Sequence, residues 1–218
     1  MQRFSHTSSI LLSIVSLTLS TTALAQHADV WVSSANGSLY TGGWDDVTGE
    51  VINPVQRVFE GELGLDPAFP FSGDEPGIGS NLVGLSLTMN LLQGLSAWNG
   101  TDFVTSTYSL GASYGGQDAF TTSGGSFSFL VSSALDLHPA YTLYGANGAD
   151  PLNGIYLATF TFSAAGYETS APLWAVLNLG MSEEDHGAAV AWAETNLVPA
   201  PAAFTMFALG GLLRRRQR

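Results

Sequence analysis

Three histidines are the residues best suited to chemistry in the part of this chain that follows residue 25. The 218 residues include no cysteine and four histidines, of which His27, His138 and His186 lie beyond residue 25. His27 precedes Asp29 by two positions, and Asp136 precedes His138 by the same spacing, so each pair would share one face of an extended strand. Neutral imidazole with nearby carboxylates is a ligand set for zinc or copper. The sequence therefore suggests a metal site at His27, Asp29, His138 and His186, with three unrelated surface histidines as the open alternative.

Carboxylates offer a second kind of cation site, for calcium. The loop over residues 66–80 contains Asp74-Glu75-Pro76-Gly77, and a pair of carboxylates can bind calcium. Further oxygen ligands are offered by Asn147, Asp150 and Asn153. Glu60 and Glu62 lie two apart on one predicted strand face, which we interpret as a solvated face of a very acidic protein.

A serine motif also occurs, and its context argues against catalysis. Residues 111–115 (GASYG) match G-x-S-x-G, and Asp136 and His138 follow in the order found in hydrolases. The nucleophile of that motif must lie on a turn from a strand into a helix. The glycine-rich residues 116–125 that follow cannot hold a helix, so we predict that the motif at 111–115 belongs to a glycine-rich loop instead. No coherent catalytic set remains, and the sequence predicts that the protein is not an enzyme.

The elements that would position these residues are mostly short strands. Asn36-Gly37 and Asn99-Gly100 are two-residue hairpin signals, because both turn positions need positive φ. Alternation or apolar runs predict strands over 29–34, 38–42, 58–63, 82–91, 95–98, 102–107, 126–129, 155–162 and 173–179. One helix is predicted to begin after Ser182, a good N-cap followed by acids, and to continue through 188–196 with Ala189, Trp192 and Ala193 buried.

This pattern predicts one all-β domain over residues 26–197, an antiparallel β-sandwich or jelly roll with a short C-terminal helix. The segment shows no internal repeat and is long enough to stabilise itself by packing without disulfides. Aromatic side chains could form a sugar-binding platform if they line one face, although strand tryptophans are more often in the core. These side chains are Trp31, Tyr40, Trp44 and Trp98.

The charge distribution excludes nucleic acid as a partner. All eighteen acids lie between Asp29 and Glu194, where Arg57 is the single cation, and the chain has no lysine. A surface of this sign repels a phosphate backbone.

Residues 1–25 have the features of a secretory signal peptide. Arg3 forms a short positive region, residues 10–19 (ILLSIVSLTL) form an apolar stretch, and residues 23–25 (ALA) form a small-x-small cleavage site. We therefore predict that signal peptidase cuts between Ala25 and Gln26.

The C-terminal residues 198–218 have three parts. Val198-Pro199-Ala200-Pro201 is followed by the apolar residues 202–213 and then by Arg214, Arg215 and Arg216. Two prolines separate the apolar segment from the domain, and the arginines would stay on the cytoplasmic side of a membrane.

This arrangement resembles the PEP-CTERM sorting tag of exported bacterial proteins, in which Pro-Glu-Pro precedes an apolar helix and basic residues; Ala200 stands where that tag has glutamate. The resemblance implies that residues 202–213 anchor the protein transiently in the inner membrane. It also implies processing by an exosortase, a membrane-embedded sorting protease. It also implies an association with exopolysaccharide and the cell envelope. The expectation is an exported envelope or matrix protein, with a secreted metal- or carbohydrate-binding module as the alternative.

Overall fold

The structure, a computed structural model, describes residues 27–199. The predicted cleavage site at Ala25 and Gln26 lies outside the described residues, as do Pro201 and Arg214–Arg216 of the predicted sorting segment. No helix within residues 27–199 is long and apolar enough to cross a membrane.

The described chain is mostly β-structure with one short helix, as predicted. Its strands are β1 (Asp29–Ala35), β2 (Ser38–Asp45), β3 (Glu50–Asn53), β4 (Val58–Leu63), β5 (Ser72–Gly73), β6 (Ile78–Ser80), β7 (Ser86–Leu91), β8 (Ser96–Trp98), β9 (Phe103–Thr105), β10 (Ser109–Tyr114), β11 (Gln117–Phe120), β12 (Gly125–Leu130), β13 (Ala140–Tyr144), β14 (Gly154–Ala164) and β15 (Leu173–Leu179). A 3-10 turn spans Ala146–Gly148, and the helix α1 spans Glu183–Asn196.

The strands form three sheets that share one core. Two four-stranded sheets have the orders β3-β2-β1-β6 and β11-β10-β13-β5, and a larger sheet has the order β12-β7-β14-β15-β4 with the β8–β9 hairpin beside β14. Buried side chains from all three sheets belong to one hydrophobic cluster, which includes Val32, Phe59, Leu110 and Phe160. The fold is therefore sandwich-like and all-β. It is not purely antiparallel, because β1 pairs with β6 and β15 pairs with β4 in parallel.

The larger sheet is covered on both faces, which explains the nearly continuous apolar sequence of β15. One face meets the main core. The other face packs against α1 and the β8–β9 hairpin through a second cluster that includes Val176, Ala189 and Ala193. Trp192 is half-buried there, with its ring 6.1 Å from that of Trp98 and 5.5 Å from that of Phe103.

The local predictions were confirmed at the first hairpin and at the helix start. Asn36 and Gly37 have φ of 51° and 85° between β1 and β2. The hydroxyl of Ser182 accepts a hydrogen bond from the backbone N–H of Asp185 at 3.2 Å, as an N-cap should.

Two local predictions were wrong. β8 and β9 are joined by the four residues 99–102 rather than by a two-residue turn, because the Asn99 side chain accepts hydrogen bonds from the backbone N–H groups of Thr101 and Asp102. The segment 111–115 is not a loop: Ser113 lies within β10, between Asp118 of β11 and Ala140 of β13. Ser113 is therefore not at a strand-to-helix turn.

Candidate functional site

The structure places the predicted metal ligands in two groups. His27 and His186 lie together, with ring centroids 6.2 Å apart and nearly parallel planes. His138 lies with Asp29 in a different cluster. Although His27 and Asp29 are two apart in sequence, they do not share a face, because β1 begins only at Asp29 and strand alternation does not govern His27. The three imidazoles therefore do not form one site.

The first group is built on the outer face of β4, where α1 covers it. Val58, Glu60 and Glu62 alternate with the core residues Phe59 and Leu63, so both acids point towards α1. Our interpretation of Glu60 and Glu62 as a solvated face was wrong, since both side chains are only partly exposed, Glu62 at 18%.

The helix supplies the other ligands of this group. α1 begins at Glu183, so Glu183 and His186 are three residues apart and lie on one helix face. A carboxylate oxygen from Glu62 and from Glu183 and a ring nitrogen of His186 all lie within 4.8 Å of one another. We call these three residues the β4–α1 site.

His186 is fully buried, and its hydrogen bond to the sheet fixes its tautomer. Its Nε2–H donates to the carbonyl of Val176 at 3.0 Å. Its Nδ1 lies 3.1 Å from Glu62 Oε1 but without the alignment of a hydrogen bond, and this nitrogen has no other partner among the described residues. A histidine that donates one N–H to a backbone carbonyl and faces a carboxylate with its other nitrogen has the arrangement of an ion pair when protonated and of a metal ligand when neutral.

The charges around His186 favour a positive charge at Nδ1. Burial by itself lowers the pKa of His186, but Glu62, the Val176 carbonyl and Glu60 outweigh it and raise the pKa above its ordinary value. A proton or a metal ion at Nδ1 would satisfy the same carboxylates. The ligand atoms of a tetrahedral zinc ion lie about 3.3 Å from one another at bond lengths of about 2.0–2.1 Å, close to the separation of Nδ1 and Oε1.

His27 and Glu60 flank this site. His27 Nδ1 is 3.9 Å from Glu60 Oε2, and it is a second buried ring nitrogen with no hydrogen-bond partner within residues 27–199. The position of Glu62 is fixed by a different residue, since the side-chain amide of Asn178 donates to Glu62 Oε1 at 3.3 Å.

The second group surrounds the loop between β5 and β6. The backbone N–H of Gly77 donates to Asp29 Oδ1 at 2.6 Å and to Glu75 Oε2 at 2.9 Å. A Cβ at Gly77 would lie 2.7 Å from both Asp29 Oδ2 and His138 Cε1, so only glycine permits this approach. We call Asp29, Glu75, Asp136 and His138 the Asp29–His138 cluster.

In this cluster His138 is engaged at both ring nitrogens. Its Nδ1 is 3.2 Å from the carbonyl of Asp74, and its Nε2 is 2.9 Å from Asp136 Oδ1. Both neighbours are acceptors, so both nitrogens donate and the ring is an imidazolium. Burial lowers the pKa of His138, but the charges of Glu75, Asp29 and Asp136 and the Asp74 carbonyl together raise it. Although Asp29, Asp46 and His138 have ligand atoms within 4.8 Å, His138 offers no lone pair to a metal.

Glu75 lies beside the buried carboxylate of Asp29, an arrangement that favours the protonated form of Glu75. Burial first, and then the hydrogen bond and charge of Asp29, raise the pKa of Glu75 to about 8. Asp29 Oδ2 is buried and has no N–H or hydroxyl donor within residues 27–199, so a protonated Glu75 carboxyl is the donor it can use. The buried hydroxyl of Tyr141 donates to the carbonyl of Pro76 at 3.1 Å, and burial and these two acids raise its pKa.

The residues suggested for calcium do not form one cluster within the described chain. We suggested Asp74 and Asp150 for calcium, but neither belongs to the two groups of close acids and histidines in the described chain. The side-chain amide of Asn153, a further suggested ligand, donates to the carbonyl of Gly180 at 3.4 Å. Among the aromatic side chains, Trp31 and Trp44 lie together with ring centroids 5.7 Å apart, whereas Trp98 packs against the second core cluster.

Two ligand residues of the β4–α1 site, Glu62 and Glu183, were not among the predicted metal ligands. Their local patterns were present in the sequence. Glu183-x-x-His186 is the spacing that puts a carboxylate and an imidazole on one helix face, as in helical metal sites. The pairing of β4 with β15, which brings Glu62 beneath that helix, was not visible in the sequence.

Comparison with known proteins does not identify the chain: no protein-family model matches it, and no curated protein sequence matches it significantly.

Proposed function

We propose that this chain is an exported, non-enzymatic protein of the cell envelope or extracellular matrix whose β domain binds one zinc or copper ion at the β4–α1 site. The observation that carries the metal proposal is His186, a fully buried imidazole whose Nε2–H is used by Val176 and whose Nδ1 has no hydrogen bond beside Glu62. A buried polar atom without a partner costs about 1–3 kcal/mol, which a bound cation would remove.

The ligand types suit a transition metal. Imidazole favours zinc or copper over calcium, and two carboxylates neutralise the charge of a divalent ion. One nitrogen and two oxygens give three protein ligands and leave a fourth position for water or for a further side chain. His27, whose buried Nδ1 also lacks a partner, is close enough to His186 to be that side chain after a change of rotamer.

The export proposal rests on the two ends of the sequence. The apolar stretch and the 23–25 cleavage site support removal of residues 1–25, and the resemblance of 198–218 to the PEP-CTERM tag supports sorting by an exosortase.

The metal proposal is tested by calorimetric titration of the full, metal-free chain with zinc and with copper in mild detergent. Glu183→Gln should weaken binding of the preferred metal at least tenfold, about 1.4 kcal/mol. Glu184→Gln is the matched control, since Glu184 is also exposed in the first turn of α1 but is not in the site.

Glu183 and Glu184 differ only in their place on α1. Comparing their glutamine variants therefore distinguishes coordination of a metal ion from attraction of cations by overall charge. Binding should have one-to-one stoichiometry and persist at about 0.15 M ionic strength, where exposed charges are screened over about 8 Å. Equal binding by both variants, or binding that added salt abolishes, would show only that cations collect around an acidic surface.

A further inference from the structure

A cleft beside the Asp29–His138 cluster has the chemistry of a sugar-binding site. It has a volume of about 340 Å³ and is lined by Trp31 and Trp44, by the carboxylates of Asp46 and Asp136, and by Ser80 and residues 133–135. Small-molecule sites have volumes of about 300–1,000 Å³ and combine apolar walls with a few polar groups that fix the ligand. We call it the tryptophan cleft.

The sheet is shaped to hold the two indole rings. In the β3-β2-β1-β6 sheet, Trp31 lies between Gly42 on β2 and Gly79 on β6. A Cβ at Gly79 would lie 2.5–2.9 Å from ring atoms of Trp44, so the absent side chain makes room for that ring. The ring centroids of Trp31 and Trp44 are 5.7 Å apart. Gly79 therefore allows the two indole rings to lie side by side on this sheet.

The polar side of the cleft is held in place before any ligand binds. Asp136 is fixed by His138, whose other ring nitrogen is bonded to the Asp74 carbonyl. A carboxylate can accept about four hydrogen bonds, and within residues 27–199 the one shown for Asp136 is that from His138. Acceptor positions of Asp136 therefore remain for a ligand. Asp46 is exposed and has a carboxylate oxygen within 4.8 Å of His138 and Asp29 ligand atoms, so both acids stand at the same end of the cleft.

We propose that the tryptophan cleft binds a saccharide, with C–H groups of the sugar ring against the indoles and its hydroxyls donating to Asp46 and Asp136. Aromatic faces carry negative partial charge and attract such C–H groups, and hydrogen bonds to carboxylates are stronger than neutral ones.

One observation selects a saccharide over an organic cation. Trp44 is 7% exposed, and its indole N–H is buried without a hydrogen-bond partner within the described residues. This donor lacks an acceptor, and a sugar oxygen can accept a hydrogen bond from an indole N–H. An ammonium group satisfies the carboxylates but cannot accept from an N–H.

The test is binding of cellotetraose and of the tetramer of N-acetylglucosamine to the full chain, measured by saturation-transfer NMR and calorimetry. Trp31→Ala and Asp46→Asn should each weaken binding of the recognised probe at least fivefold. Tyr114→Ala and Asp66→Asn are matched controls, because both residues are exposed and outside the cleft, and they should bind as the parent does.

Trp31 is half-buried and its variant could fail to fold, but Asp46 is exposed and its variant keeps the test decisive. The proposal is independent of the β4–α1 site, so Glu183→Gln and removal of metal by EDTA should leave sugar binding unchanged. Failure of both probes to bind, equal binding by Asp46→Asn and the parent, or displacement of the bound sugar by tetramethylammonium would overturn it.

Discussion

Replacing Glu75 by glutamine should reduce the pH dependence of stability between about pH 5 and pH 9. The native carboxyl has a pKa raised to about 8 against an unfolded value near 4.5, so between these values the native state binds a proton that the unfolded state lacks. Stability therefore falls as pH rises through this window. His138, whose native pKa is also raised, contributes in the same direction, because its ionic stabilisation is lost when the imidazolium deprotonates.

The size of the expected stability change follows from the pKa shift of Glu75 and from the exposure of its side chain. The full shift of Glu75 would correspond to about 5 kcal/mol. Its side chain is 36% exposed, so solvent screens much of this, and we expect the parent to lose about 1–2 kcal/mol through Glu75 between pH 5 and pH 9. In Glu75→Gln the amide donates to Asp29 as the protonated carboxyl does but cannot ionise.

The assay is urea unfolding of the two proteins at pH 5, 7 and 9, with Glu50→Gln as control because Glu50 is exposed on β3. The variant and the parent should be nearly equal at pH 5, and the variant should be the more stable at pH 9. A variant that loses stability with pH as steeply as the parent, or one destabilised by the same amount at every pH, would refute the raised pKa of Glu75 as the cause.

Three further predictions follow from the two clusters and the chain ends. Gly77→Ala should lower the free energy of unfolding by about 1–3 kcal/mol in urea titrations, because its Cβ would lie 2.7 Å from Asp29 and His138; an unchanged midpoint would contradict the close approach. Zinc affinity, measured by competition with a chelating dye, should fall as pH drops from 8 to 6, since coordination needs neutral His186 and the pKa of that ring is raised; constant affinity would exclude an imidazole ligand. Intact-mass analysis of protein recovered from the producing cell's envelope should show Gln26 as the first residue and loss of the arginine tail, whereas a chain ending at Arg218 would reject the sorting-tag proposal.

The strands and the helix were largely predictable, because their determinants are local. Alternating Phe127 and Phe129 specify β12, Asn36-Gly37 supplies the two positive φ values of the first hairpin, and Ser182 caps α1. β10 was missed because its glycine and serine residues have low strand propensity, and its two neighbouring strands hold it in place.

The site was less predictable, because its determinants are long-range. Glu62 reaches His186 only through the parallel pairing of β4 with β15, which aligns Glu62 with Asn178 across 116 residues of sequence. Nothing near His138 in the sequence indicates that the distant carbonyl of Asp74 would occupy its second ring nitrogen. Pairing each histidine with its nearest aspartate was therefore right for His138 and wrong for His27, whose neighbour is His186.

The central claim, that His186 binds a metal through Nδ1, is tested most directly by long-range ¹H–¹⁵N correlation NMR of the histidine rings during addition of zinc. With one equivalent of zinc, the Nδ1 resonance of His186 should shift to a metal-bound position while Nε2 remains protonated against Val176, and both nitrogens of His138 should stay unchanged. An unchanged His186 ring, or a shift at His138 in its place, would contradict the account.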